Sequence, residues 1–177
     1  MAGASQRLFF ALWPEPAVRQ QLLHWQQAAA AVEANGGRPV RALNLHITLA
    51  FLGELTPSQQ QASIAAAAQL HLPPVELVID HFGHFPGARV LYAAPSQIPG
   101  VARSLQQQLC AALSGHGLEL EQRPWAPHVT LYRKVRQLPP LPRLPAIEWP
   151  VRGLSLVESC SRPGGVVYEQ RRQWPLQ

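Results

Sequence analysis

"NLHITLAFLG" fills residues 44–53 and "APHVTLYRK" fills residues 126–134. Both contain the word His-x-Thr-Leu, at His46 and again at His128, 82 positions later. Each copy sits inside an apolar run, which reads as a β-strand. Side chains on a strand alternate faces with period two, so His46 and Thr48 share one face and Ile47 and Leu49 the other. The same holds for His128 and Thr130 against Val129 and Leu131. The apolar face packs on the core. The polar face meets water, a partner or a ligand, because burying imidazole and hydroxyl unpaired is costly. One such pair is commonplace on a surface strand; two in equivalent places ask for a shared purpose.

Equivalence follows from the flanking sequence. "RLFFALW" (7–13) and "ARVLYAA" (88–94) read as strands, each followed by a helical stripe and then by a motif strand. Ala11 precedes His46 by 35 residues, and Ala93 precedes His128 by 35. The first helix, with Pro14 and Pro16 at its start, repeats Val18, Leu22, Trp25, Ala29 and Val32 and stops at Asn35-Gly36-Gly37. The second carries Val101, Leu105, Leu109 and Leu113. Between the halves, Thr56-Pro57-Ser58-Gln59 has the layout of a capping box that opens a helix to about Leu70. "PVELVIDHFGHF" (74–85) is expected to pair with 88–94 across a type II turn at Pro86-Gly87. "EWPVRGLSLVES" (148–159) and "GVVYEQRRQW" (165–174) form a last hairpin across Pro163-Gly164. The proline-dense "RQLPPLPRLP" (136–145) is a surface loop. The sum is a β-α-β unit used twice, which brings the two motifs together as halves of one site.

Composition limits the chemistry. The chain has 177 residues, 47% hydrophobic and 14% charged, enough for one domain with a core. No apolar run approaches the roughly 20 residues of a membrane helix, and the N-terminal run is too short for a secretion signal, so a cytoplasmic protein is expected. Cys110 and Cys160 lie far apart with no metal-binding spacing and read as free thiols. The net charge of +5 is almost all arginine, with Lys134 the only lysine. Arginine grips phosphate in a fork, so a phosphate or nucleic-acid partner fits, as does mere compositional bias. Asp80 is the only aspartate, and no G-x-x-x-x-G-K-[ST] loop occurs. Two-metal phosphoryl transfer and P-loop nucleotide binding are therefore disfavoured. His81-x-x-His84 matches no zinc motif, so neither metal nor cofactor is expected.

Two imidazoles across a cleft suit paired acid–base work near neutral pH, one neutral and taking a proton while the other is charged and giving one. Two threonine hydroxyls beside them donate to anionic oxygens. The natural occupant is a tetrahedral anion such as a phosphodiester.

These features together resemble the bacterial RNA 2′,3′-cyclic phosphodiesterases, also called 2′-5′ RNA ligases, of the 2H phosphoesterase superfamily. The resemblance is carried by "RLFFALWPEP", "VRALNLHITLAFLG", "FGHFPGARVLYA", "PWAPHVTLYRK" and "SRPGGVVYEQRRQWPL". It implies an α+β fold in which residues 1–177 form one domain of two pseudo-symmetric lobes, with two antiparallel sheets flanked by helices around a central cleft. It implies opening of an RNA 2′,3′-cyclic phosphate to a 2′-phosphomonoester, with His46 as donor to the leaving 3′-oxygen, His128 as the base on water, and Thr48 and Thr130 on the non-bridging oxygens. The same site run backwards would join tRNA halves through a 2′-5′ bond without ATP. A module that only binds RNA would not require both histidines. RNA ends or small cyclic-phosphate nucleotides are the expected partners, and a monomer the expected form.

Four further positions enter. The family usually has an arginine soon after the second motif, where Arg133 stands. Parity puts Arg133 on the face away from His128, an ordinary solvated position unless the strand ends or bulges there. Phe51 is its counterpart in the first half, available for stacking on a base or for core packing. Tyr132 stands where a small residue is common, and parity puts it on the His128 face, where it would narrow the cleft or stack on a base. Val40 stands where an aromatic often precedes the first motif.

Overall fold

The structure, a computed structural model, describes residues 5–177. The strands are β1 (Gln6–Leu12), β2 (Arg38–Pro39), β3 (Ile47–Leu55), β4 (Val75–Ile79), β5 (His81–Phe85), β6 (Val90–Ala94), β7 (Val129–Arg133), β8 (Ile147–Val151), β9 (Gly153–Arg162) and β10 (Gly165–Pro175). The helices are α1 (Pro16–Ala28), α2 (Pro57–Ala68) and α3 (Gly100–Gly115), with 3-10 turns at Ala30–Asn35 and Ala42–Asn44. Eight strands form one antiparallel sheet in the order β10-β9-β1-β3-β7-β6-β5, with β2 on β7; β4 and β8 form a second, two-stranded sheet. The α+β class with antiparallel sheets is the one the family resemblance implied. The two halves of the large sheet join through a single registered pair, Ile47 with Val129. About that pair the order mirrors itself: β3 against β7, β1 against β6, β9 against β5.

β1 shows how the sheet separates core from site. Leu8, Phe10 and Leu12 are buried in the main core with Leu22 and Trp25 of α1 and Leu105 and Leu109 of α3. Fully burying each such side chain contributes roughly 1.5–3 kcal/mol. The alternate residues Phe9 and Ala11 instead join a small apolar cluster with Val157, Trp13 and Tyr168. That cluster borders the first motif.

Several local expectations need correction. The first helix ends at Ala28 and tightens to a 3-10 turn before Gly36, which takes a left-handed φ of 87°. The stripe of α3 buries Ala102 with Leu105, Leu109 and Leu113, while Val101 is exposed. The run 74–85 is two strands in different sheets. Asp80 marks the break: its carboxylate accepts from the Ser96 N–H at 2.8 Å, and its own N–H donates to Ala94 O. Likewise 148–159 divides, with β8 leaving for β4 and β9 alone forming the last hairpin. The type II turn at Pro86-Gly87 is not formed; Arg89 N–H closes onto Pro86 O, and Arg89 itself takes a positive φ of 54°. The capping box at Thr56 and Gln59 is present in both directions.

Candidate active site

Ile47 and Val129 are both fully buried, so their neighbours project to the opposite face of the sheet. In antiparallel register, the pairing of 47 with 129 sets His46 across from Thr130 and Thr48 across from His128. The four polar side chains of the two motifs therefore occupy one small square, each imidazole beside its own threonine and facing the other motif's. Trp125, just before the second motif, donates its indole N–H to Thr48 O at 2.9 Å and ties the two motif segments together.

Each histidine stands one residue before its strand and is held by the same device. His46 Nδ1 lies 2.6 Å from Asn44 O, and His128 Nδ1 lies 2.7 Å from Ala126 O. A carbonyl only accepts, so Nδ1 carries the hydrogen in both rings. Nε2 is thereby left to take or give a proton over the square. His46 Nε2 is 3.1 Å from Thr48 Oγ1.

Aromatic rings wall each imidazole. Trp13 stacks on His46 with centroids 5.5 Å apart and planes 11° from parallel, Phe9 lies at 5.0 Å, and Tyr168 presents its edge at 5.1 Å. Around His128 stand Phe85 at 5.1 Å and Tyr92 at 5.3 Å. Gly83 is glycine because the Tyr92 ring lies where its Cβ would be, 2.2 Å from the nearest ring atom. Sequence reasoning passed over these five aromatics. They are spread over β1, the residue after it, β5, β6 and β10, and no local pattern joins them.

This setting holds both imidazoles below their ordinary basicity. Burial against the rings is the largest cause for His46 and lowers its pKa to about 4, with the positive charges of His128 and Arg133 adding and the Asn44 hydrogen bond opposing. His128 is lowered by burial first and Arg133 second, against its bond to Ala126. Arg133 thus stands close enough to act on both rings.

Arg133 reaches this position through a bulge. Leu91 pairs with Tyr132 and Tyr92 with Thr130, so Leu131 is an extra residue on β7. The mirrored strand does the same: Phe10 pairs with Ala50 and Ala11 with Thr48, leaving Leu49 extra on β3. Each bulge falls three residues after its histidine, on the leucine of the repeated word. At each bulge a helix glutamine adds a bond to the carbonyl of the extra residue. Gln26 of α1 donates to Leu131 O at 2.8 Å, and Gln106 of α3 to Leu49 O at 3.4 Å.

The bulges invert the parity on which the expectations for Arg133 and Tyr132 rested, and the same shift sets Phe51 at the surface. Arg133, expected on the far face, is exposed on the site face. Phe51 pairs with Phe9, whose ring touches His46, and is 42% exposed with the Arg7 guanidinium 4.9 Å above it. It is therefore not a core residue. Tyr132, expected on the His128 face, is turned into the core with 1% exposure. Its hydroxyl lies 2.9 Å from Gln26 O and 3.1 Å from Glu33 Oε1, and burial pushes its pKa up to about 12, helped by the Glu33 carboxylate. Tyr132 cannot line the cleft or stack on a base. Val40 is half-buried and donates its N–H to Leu131 O.

Residues 14–161 match the family model of the 2′-5′ RNA ligase superfamily, and the chain belongs to that superfamily. It is 33% identical to the RNA 2′,3′-cyclic phosphodiesterase of Escherichia coli (strain K12) over 97% of both chains, and 30% identical to that of Thermus thermophilus over 96% of this chain and 90% of the relative. The crystal structure of E. coli LigT complexed with 3′-AMP superposes with a TM-score of 0.89 over 97% of this chain and 98% of that one, at 32% identity. No helix among the described residues is long and apolar enough to cross a membrane.

Proposed function

We propose that this protein hydrolyses RNA 2′,3′-cyclic phosphodiester ends to 2′-phosphomonoesters by paired histidine acid–base catalysis, without metal or cofactor. The observation that carries the proposal is the square of His46, Thr48, His128 and Thr130 set by the Ile47–Val129 register. The names of the full-length relatives, RNA 2′,3′-cyclic phosphodiesterases, support it.

In this reading the cyclic phosphate sits over the square with its non-bridging oxygens on the Thr48 and Thr130 hydroxyls. His128 Nε2 takes a proton from water as the water oxygen bonds to phosphorus. The bond from phosphorus to the 3′-oxygen breaks, and His46 Nε2 gives that oxygen a proton. The product keeps its phosphate on the 2′-oxygen. The protonated His128 and neutral His46 then exchange protons with solvent to reset the pair. Arg133 offsets phosphate charge, and a bound anion raises both depressed imidazole pKa values, so the proton that His46 must give is recruited with the substrate. Phe51, exposed at the rim, offers a face for a base.

The whole chain, 1–177, acts as one domain of two pseudo-symmetric lobes in this reading, each giving one motif. The mirrored strand order supports that. A monomer in the reducing cytoplasm fits the free Cys110 and Cys160. The substrates are RNA ends or small cyclic-phosphate nucleotides. The test is to incubate the protein with an oligoribonucleotide ending in a 2′,3′-cyclic phosphate in the presence of EDTA. Conversion to the 2′-phosphomonoester is expected. A 3′-phosphate product, or activity abolished by EDTA and restored by a divalent cation, would refute the proposal.

A further inference from the structure

The carbonyl that holds His46 belongs to a residue that is itself clamped. Asn44 is 9% exposed and lies in the 3-10 turn just before the first motif. Its side-chain amide bridges two backbone groups of β10: Nδ2 donates to Val166 O at 2.9 Å, and Oδ1 accepts from the Tyr168 N–H at 3.2 Å. The two positions are two residues apart on a strand, on one edge, which a single amide can span. The amide therefore stands in for a strand residue and fixes its own backbone against β10. A second tie runs beside it, from Arg41 Nη2 to Gly164 O at 2.7 Å in the β9–β10 turn.

The clamp reaches His46 by two routes. Through the backbone, it fixes the Asn44 carbonyl to which His46 Nδ1–H donates. Through β10, it fixes Tyr168, whose ring edge meets the His46 ring. The second histidine is supported differently, by the neighbouring Trp125 indole on Thr48 O. Its carbonyl partner is on Ala126, which is exposed and has no side chain that could anchor it. The two copies of the motif thus share the Nδ1-to-carbonyl bond, and only in the first does the side chain of the carbonyl's own residue clamp it.

We infer that Asn44 is a positioning residue for His46: its amide clamp on β10 keeps the ring in the tautomer and direction that aim Nε2 over the square. This inference rests on the reading of His46 as the proton donor. A donor must point at one oxygen as its bond breaks, and small losses of aim are costly in rate. A base acting on water, which is itself mobile, tolerates more freedom.

The test uses the full chain with Asn44→Ala and Asn44→Asp. Asp keeps the acceptor for the Tyr168 N–H and loses the donor to Val166 O, which guards against an alanine variant that fails to fold. Imidazole ¹⁵N spectra read the tautomer of each ring without any substrate. The Nδ1–H form is expected for both histidines in the wild type, with His46 alone passing to a mixture in the variants. On a cyclic phosphate, kcat of Asn44→Ala is expected to fall roughly 10–100-fold with KM little changed. On an analogue whose 3′-oxygen is replaced by sulfur, which leaves with little need of a proton, most of that loss is expected to vanish. Unaltered His46 resonances in both variants, equal perturbation of His128, or the same loss on the oxygen and sulfur substrates would overturn the inference. A wild type inactive on both substrates would instead sink the proposed function, while the tautomer spectra would still decide the clamp.

Discussion

Ile47 pairs with Val129, and these two buried residues are the only registered contact between β3 and β7. The pairing matters because of what flanks it. One step along the strands, in opposite senses, it sets each motif's histidine across from the other motif's threonine. The site is made of two strand starts rather than a loop, and its dimensions are fixed by sheet geometry.

Replacing His46 or His128 with alanine is expected to cut turnover by roughly 10²–10⁴-fold, the usual worth of a general acid or base. The sulfur-leaving substrate separates the two roles. His46→Ala should be largely rescued on it and His128→Ala should not. Rescue that follows His128 instead would reverse the assignment.

The threonines should act through the phosphate. Thr48→Ala and Thr130→Ala are each expected to lose about 1–3 kcal/mol of transition-state stabilisation, read as a fall in kcat/KM. Because the register makes them equivalent, the two losses should be similar. An effect confined to one would mean that the phosphate sits off the axis of the square.

The pH profile should be bell-shaped, since the productive site holds one proton between two imidazoles, and its limbs belong to the pair. In the free protein both imidazoles are depressed, His46 to about 4. A bound anion raises both. The kcat/KM profile, which reports the free protein, is therefore expected at lower pH than the kcat profile. Coincident limbs would show that substrate does not supply the field.

The same depression makes a claim about stability. A histidine with pKa about 6.5 unfolded and about 4 folded is harder to protonate in the native state. Its contribution is complete above pH 6.5 and is lost as pH falls toward 4. The loss amounts to at most about 3 kcal/mol. Denaturant titrations of His46→Gln and wild type at pH 7 and pH 4.5 should show the difference between the two proteins shrinking or reversing in acid. A constant difference would mean that His46 titrates normally.

Tyr132 and Arg133 are neighbours with opposite expected outcomes. Tyr132→Phe should cost about 1 kcal/mol of stability for its lost hydrogen bonds and leave kcat/KM nearly unchanged. Arg133→Ala should barely alter stability and should lower kcat/KM. Activity lost in Tyr132→Phe at full stability would place the phenol in the cleft after all.

Much of this protein is legible in its chain order. The repeated His-x-Thr-Leu, the matched spacings from Ala11 and Ala93 and the helix starts are all local or periodic, and chain order carries them. The capping box at Thr56 needs only its own four residues. What the sequence could not decide depends on pairing partners. The run 74–85 reads as one strand, yet the chain changes sheets at Asp80, because Val75–Ile79 pairs with β8 and His81–Phe85 with β6. Parity after each motif failed for the same reason. A bulge exists only relative to the strand opposite, so nothing local marked Leu49 or Leu131 as the extra residue. One inserted residue moved Arg133 to the site and Tyr132 to the core. The Asn44 clamp joins residues more than a hundred positions apart, and only the folded sheet brings them within a hydrogen bond.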